Sequence, residues 1–267
     1  MRDASSARRR TRTAAAVGVA SAVTVALAFA LWPSTGSPRP AEGPSLPGPA
    51  RSALEVREPK PLRDKHVSLW SFVRRATTAR RTPSRAGAAV ARLASTTPEG
   101  TANTLLVLGR ARDAAGRVWV RTRLPVLPNG TTGWVARRAL GGYHAVHTQL
   151  VVDLRRRRAT LLRNGRRLMR ADIGVGLDQS PTPRGRFYIR NKLVRYRSGF
   201  YGPLAFGTSA RSAVLTDWPG GGFIGIHGTN QPELLPGRVS HGCIRMRNAD
   251  IVRLGRLMPV GTPMEVL

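Results

Sequence analysis

The chain has 267 residues, 41% of them hydrophobic, enough for one or two packed domains. It carries 44 Lys and Arg against 14 Asp and Glu, a formal charge of +30, and only Lys60, Lys65 and Lys192 are lysines. A single cysteine excludes an internal disulfide framework and any Cys-x-x-Cys metal or redox motif. The arginine excess has two readings, an anionic partner such as nucleic acid or a charged polymer, or the codon usage of a GC-rich genome, which favours Arg, Ala, Gly and Pro together. It still creates a field that attracts anionic partners.

The N-terminus opens on a basic block within residues 1–13, followed by the uncharged run AAAVGVASAVTVALAFALW (14–32). Nineteen apolar or small residues are long enough to span a bilayer, and the arginines before them predict that the remaining chain faces outward. Two outcomes stay open: an uncleaved signal-anchor, or a signal peptide cut after Ala28-Phe29-Ala30. Residues 33–65 are rich in Pro, Ser, Gly and charge, and predict an extended, disordered linker.

Residues 76–142 predict a small β-barrel. The runs LLVLGRARD (105–113), RVWVRTRL (117–124) and GWVARRAL (133–140) are strand-like, punctuated by Pro125, Pro128 and Asn129-Gly130. The stretch WVRTRLPVLPNGTTGWVARRAL resembles bacterial SH3-like modules of wall-associated proteins. Nothing here matches an aromatic-rich RNA-binding signature, so no nucleic-acid partner is expected.

From 146 to 267 the chain is again mostly β. TQLVVDL (148–154) and ATLLRNGRRLMRADIGVG (159–176) are strand-like, and Asn164-Gly165 between two apolar runs predicts a hairpin. TPRGRFYIRNKL (182–193) and GGFIGIHG (221–228) are further strands. NADIVRLGRLM (248–258) predicts one helix with Asn248 as N-cap, and PMEVL (263–267) a closing strand. The fold class is therefore mainly β with a C-terminal helix.

The chemistry concentrates in VSHGCIRM (239–246), which holds the lone Cys243. Four readings compete: a buried structural thiol, a metal ligand with His227 and His241, a redox sensor, and a nucleophile with a histidine base. The redox reading lacks a resolving cysteine, and His-x-Cys alone is a weak zinc signal. The nucleophile reading uses more of the local residues. Either histidine can take the thiol proton, and Ser240 can orient a histidine by hydrogen bonding. Gly242 lets the backbone approach a reacting carbonyl, and amides around Cys243 can form an oxyanion hole. Arg245 offers a bidentate donor for a substrate carboxylate. His66, His144 and His147 read as structural or exposed. GGGF (220–223) lacks a following Lys-Ser/Thr and is no phosphate loop, and GVGLDQS (174–180) is no dinucleotide site.

IHGTN (226–230) followed by SHGCIRM (240–246) resembles the catalytic signature of the L,D-transpeptidases, the YkuD-like family; TPRG (182–185) resembles its upstream element and VGTPMEVL (260–267) its closing strand. The resemblance implies a β-rich catalytic domain over 146–267 that needs no cofactor and no metal. It implies peptidoglycan cross-linking through a cysteine thioester acyl-enzyme, with acylation by carbapenems. By its pattern Cys243 is the nucleophile and His227 the general base. His241 supports the oxyanion region, and the Gly228 carbonyl holds the His227 tautomer. Ser240 and Gly242 are supporting residues, and Arg245 and Thr229 contact substrate. The partners implied are peptidoglycan stem peptides, with anionic wall polymers and the membrane as further contacts outside the cytoplasm. Hydrolysis of the same acyl-enzyme, a non-catalytic wall-binding protein and a zinc peptidase are the alternatives.

Overall fold

The computed structural model describes residues 60–61, 66–194, 199–215 and 221–267. All of them fall in one compact unit, Arg51–Leu267. The expected membrane segment 14–32, the basic block before it and most of the expected linker lie outside the described residues. Among the described residues no helix is long and apolar enough to cross a membrane.

The first half of the fold is eight strands: β1 (Lys60–Pro61), β2 (Ser68–Phe72), β3 (Thr77–Arg80), β4 (Ala89–Leu93), β5 (Thr104–Arg112), β6 (Val118–Arg123), β7 (Thr132–Ala136) and β8 (His144–Val146). They form one antiparallel sheet in the order β4-β3-β7-β6-β5-β2-β8, with β1 paired to β5. Three elements lie outside the expected limits of 76–142: β1, β2, and β8, which pairs with β2. Lys60–Pro61, inside the expected linker, pairs with Gly109 and Arg110, and β2 and its Val107 pairing begin before residue 76. β2 was hidden because its own polar residues are inward: Ser68 and Ser71 are buried, and Ser71 Oγ donates to the Gly141 carbonyl at 3.1 Å. The core of this sheet is Leu105, Val107, Val120, Leu124, Val135 and their neighbours.

The second half contains β9 (Thr148–Asp153), β10 (Arg158–Arg163), β11 (Arg166–Asp172), β12 (Gly174–Gly176), β13 (Gly185–Val194), β14 (Leu204–Arg211), β15 (Phe223–His227), β16 (Gly237–Ser240), β17 (Ile244–Arg245), α1 (Asn248–Leu257) and β18 (Pro263–Val266). The sheet order is β11-β10-β9-β18-β13-β14-β15-β17-β12-β16. β10 and β11 are joined by Asn164-Gly165, both at positive φ (50° and 77°), the conformation a two-residue hairpin turn requires. Most neighbours are antiparallel, but β18 with β9, β15 with β17, and β12 with β16 run parallel. α1 packs on β14 and β11 through Ile251 and Leu254. Gly255 permits the close approach, since a Cβ there would lie 2.7 Å from Leu204 Cδ1.

The expected cap is displaced by one residue. Arg247 occupies the N-cap position of α1, and Asn248 is the first helical residue. Its Oδ1 instead accepts the Thr229 N–H at 3.1 Å, so a long-range loop contact has taken the side chain that a local cap would use.

Buried polar bonds join the two sheets. Tyr188 Oη donates to the Thr104 carbonyl at 2.9 Å, and Arg190 reaches Glu99 at 2.9 Å. Asn129 brackets the Arg211 backbone, accepting from its N–H at 3.0 Å and donating to its carbonyl at 2.7 Å.

Candidate active site

The pairing of β15 with β17 builds the site. Their parallel register sets Ile226 beside Ile244 and His227 beside Arg245. Strand side chains alternate, so Gly225 and His227 share a face, and Cys243 and Arg245 extend the same face. Ile226 and Ile244 point the other way, into the core, and are fully buried. A cavity of about 310 Å³ opens on the polar face, lined by Cys243, His227, His241 and Arg245 with Phe200 and Tyr201. Larger hollows on the first sheet have no Cys or His in their walls.

The turn carrying Cys243 is fixed from three sides. Ser240 Oγ donates to the Cys243 carbonyl at 2.6 Å and accepts the Gly242 N–H at 3.2 Å. Thr182 Oγ1 donates to the Gly242 carbonyl at 2.8 Å and accepts the Gly176 N–H at 2.9 Å. Gly242 sits at φ 113°, a region side chains disfavour, and a Cβ there would press on Ile224 at 2.9 Å. On the other strand the Gly225 N–H points at Cys243 Sγ, 3.4 Å away. An atom at the Cβ position of Gly225 would be 3.8 Å from that sulfur and 3.9 Å from His227 Cδ2, so thiol and imidazole flank the space this glycine leaves open.

His227 is 2% exposed and its Nδ1 lies 2.6 Å from the Gly228 carbonyl. A carbonyl only accepts, so Nδ1 carries the proton and Nε2 keeps its lone pair. The Tyr201 ring meets the imidazole edge-on at 4.7 Å. Burial pushes the imidazole pKa down to about 4; the Arg245 charge acts in the same direction and the Gly228 bond against it. Burial pushes the Cys243 thiol up, opposed by the Gly225 N–H and by Arg245. The resting pair is therefore a neutral thiol beside a neutral imidazole, not a preformed thiolate–imidazolium pair.

Arg245 is 7% exposed, with its guanidinium 4.6 Å over the Phe200 ring and its Nη1 3.4 Å from Gln231 Oε1. Its Nε is buried with no hydrogen-bond partner among the described residues. A buried cation with an unused donor in a cleft wall suits an anionic group of a ligand.

Of the residues singled out from the sequence, Cys243, His227, Ser240 and Arg245 line this cleft with the exposed His241 at its edge, and the Gly228 and Gly242 carbonyls lie behind it, bonded to His227 and Thr182. One expectation is corrected. Ser240 does not orient a histidine, because its hydroxyl is used within the Cys243 turn. Thr229, expected to contact substrate, is 1% exposed, its Oγ1 accepts the Gln231 N–H at 3.1 Å, and it lies outside the cleft wall. The oxyanion expectation is narrowed, since the Gly242 N–H is already taken by Ser240. Sequence reasoning missed the roles of Thr182, Gly225 and Gln231. Alternation in FIGIHG was the available signal for Gly225; no local signal ties Thr182 to a turn sixty residues away. Among the described residues no three His, Cys, Asp or Glu side chains gather as a metal-ligating group.

Residues 147–266 match the family model of the YkuD L,D-transpeptidase catalytic domain. YkuD of Bacillus subtilis is 32% identical over 123 residues, covering 46% of this chain and 68% of that protein. YkuD of Bacillus licheniformis is 32% identical over 118 residues, covering 44% of this chain and 64% of that one. Among solved structures, the catalytic domain of the E. faecium L,D-transpeptidase is 28% identical, with a TM-score of 0.34, covering 45% of this chain and 96% of that one. The matched segment begins at β9 and contains every residue of the cleft, and by this match the chain belongs to the YkuD L,D-transpeptidase family.

Proposed function

We propose that this chain is a peptidoglycan L,D-transpeptidase that works through a thioester on Cys243. The observation that carries the reading is the sulfur at the cleft wall with His227 beside it, the imidazole held by its Gly228 bond at 2.6 Å. Sγ attacks the carbonyl of the L-centred third residue of a donor stem, and its proton passes to His227 Nε2. A thiol held above its usual range and an imidazole held near 4 make proton transfer ahead of attack unfavourable. Transfer therefore accompanies C–S bond formation. The imidazolium so formed is a strong acid and returns the proton to the departing D-residue amine. An amine from a second stem then takes the acyl group, and Cys243 regains its proton through His227.

The Cys243 N–H is the amide left to face the developing oxyanion, with His241 at the edge of the same region. Arg245 meets a carboxylate of the stem. Phe200, half exposed beside it, covers the apolar stems of the peptide. The chain acts outside the cytoplasm, with 14–32 as anchor or export signal and the first sheet as an SH3-like module toward the wall. Hydrolysis of the same thioester would give a carboxypeptidase.

Incubating the full chain with purified stem tetrapeptides and following products by mass spectrometry tests the reading. The expected product is a cross-linked dimer lacking one terminal D-residue, formed equally well with a chelator present. Release of the D-residue without dimer would assign the carboxypeptidase. Intact stems throughout would assign a wall-binding role without catalysis.

A further inference from the structure

Residues 66–146 contain thirteen arginines and two carboxylates, Glu99 and Asp113. Both carboxylates are committed inside the fold. Glu99 faces Arg190 of the second sheet. Asp113 accepts from Arg117 Nε at 2.7 Å, from Trp119 Nε1 at 3.0 Å and from two backbone amides. Seven of the thirteen arginines line two hollows, while Arg81, Arg92, Arg110, Arg112 and Arg121 are exposed elsewhere. One, of about 590 Å³, has Arg80, Arg85, Arg117, Arg137 and Arg138 in its walls over Val118 and Trp119. The other, of about 640 Å³, adds Arg74 and Arg75 beside Phe72. Both include Arg137 and Arg138, so they adjoin and form one arginine-lined groove. Among the described residues only Arg117 of these seven has a carboxylate partner. None of the seven takes part in the hydrogen bonds that join the two sheets.

We infer that this groove binds a linear polymer of phosphodiester-linked polyols, apart from the thiol cleft and independent of catalysis there. Guanidinium forks bind oxyanions through paired N–H donors. A carboxylate offers its two oxygens in one plane and suits a single fork. The tetrahedral oxygens of a phosphate point out of that plane and accept from two guanidiniums at once. Arg74, Arg75, Arg137 and Arg138 line one hollow together, so more than one guanidinium is available to such a group. A nucleic acid fits less well, because single strands are held by bases stacked on open aromatic rings. Of the two rings at this groove, the Trp119 indole is 3% exposed with its N–H used by Asp113, and the half-buried Phe72 packs against Gly141 near His144. A bilayer fits less well because the site is concave.

The test measures binding of the full chain to a synthetic glycerol-phosphate oligomer at several salt concentrations. The variants are Arg85→Gln/Arg138→Gln, both exposed, and the same pair with Arg74→Gln/Arg75→Gln added. Arg166→Gln/Arg167→Gln, exposed on the β10–β11 hairpin, removes equal charge elsewhere. The expected result is roughly tenfold weaker binding for the first pair, more for the fourfold variant, a shallower salt dependence in both, and little change for the hairpin pair. Cys243→Ala should bind as the parent does. Equal weakening by the hairpin pair would overturn the site, leaving only a diffuse field. Tighter groove-dependent binding of a polyuronate or a single-stranded oligonucleotide of matched charge, or of phosphatidylglycerol vesicles, would overturn the ligand class. No binding at 0.15 M salt would overturn both.

Discussion

The two sheets differ in where they put their charged groups. In the first, the thirteen arginines of 66–146 stay largely at the surface, and the interior around Leu105, Val120 and Val135 is apolar. In the second, His227, Arg190 and Arg245 are buried, each in a specified contact: Gly228, Glu99, and Phe200 with Gln231. Burying such groups is unfavourable unless each has a partner. The first sheet supplies two of the supports. Glu99 neutralises Arg190, whose guanidinium lies 3.8 Å over the Phe223 ring, and Asn129 fixes the backbone of Arg211, which lies 4.8 Å over the same ring. Phe223 is part of the thiol cleft. The surface-charged sheet thus braces the wall of the site that the other sheet builds.

The largest effect should come from the buried imidazole. His227→Ala should lower acyl-enzyme formation by about 10²–10⁴-fold, read by stopped-flow acylation, with the fold retained. A loss below threefold would mean that another group takes the thiol proton. Next is the brace between the sheets. Glu99→Ala leaves Arg190 buried without its carboxylate, and urea unfolding should show about 3 kcal/mol less stability. An unchanged midpoint would show that the two sheets are energetically independent at this contact. Gly225→Ala is smaller. Its methyl meets only ordinary contacts (3.5–3.9 Å), so the protein should fold, yet the group stands where thiol and imidazole face each other. Acylation should slow roughly ten- to a hundredfold. Unchanged acylation would place the proton path elsewhere.

The smallest effect is read by pH. Burial holds the thiol above its ordinary value of 9.0, so alkylation of the free protein by iodoacetamide should rise only at alkaline pH. A plateau extending into acid would reveal an ion pair that this geometry does not form. The His227 pKa is depressed to about 4 in the fold. Its contribution to stability should be complete above its unfolded value near 6.5 and be lost as pH falls toward 4.

What was legible in the sequence was local. Asn164-Gly165 announced a hairpin because both residues adopt the left-handed region readily, and TQLVVDL announced β9 through its alternation, with Thr148, Leu150 and Val152 inward. The cleft residues were legible because IHGTN and SHGCIRM carry their chemistry in short runs. What failed depended on distant partners. Asn248 gave up its expected cap to hold Thr229, and Thr182 acts on a turn sixty residues away. Glu99 meets Arg190, 91 residues away in sequence, a pairing that no local pattern announces. Ser240 was assigned an outward role because a hydroxyl's nearest acceptor or donor is set by turn geometry that composition does not reveal.

The central claim is that Cys243, served by His227, forms an acyl-enzyme. Intact-mass spectrometry after exposure to a carbapenem tests it most directly, comparing the parent chain with Cys243→Ser in the presence of a chelator. The account predicts a single covalent adduct on the parent chain, located at Cys243 by peptide mapping, and no adduct on the serine variant. An adduct that persists in Cys243→Ser, or a folded parent chain with a free thiol and no mass shift, would contradict it.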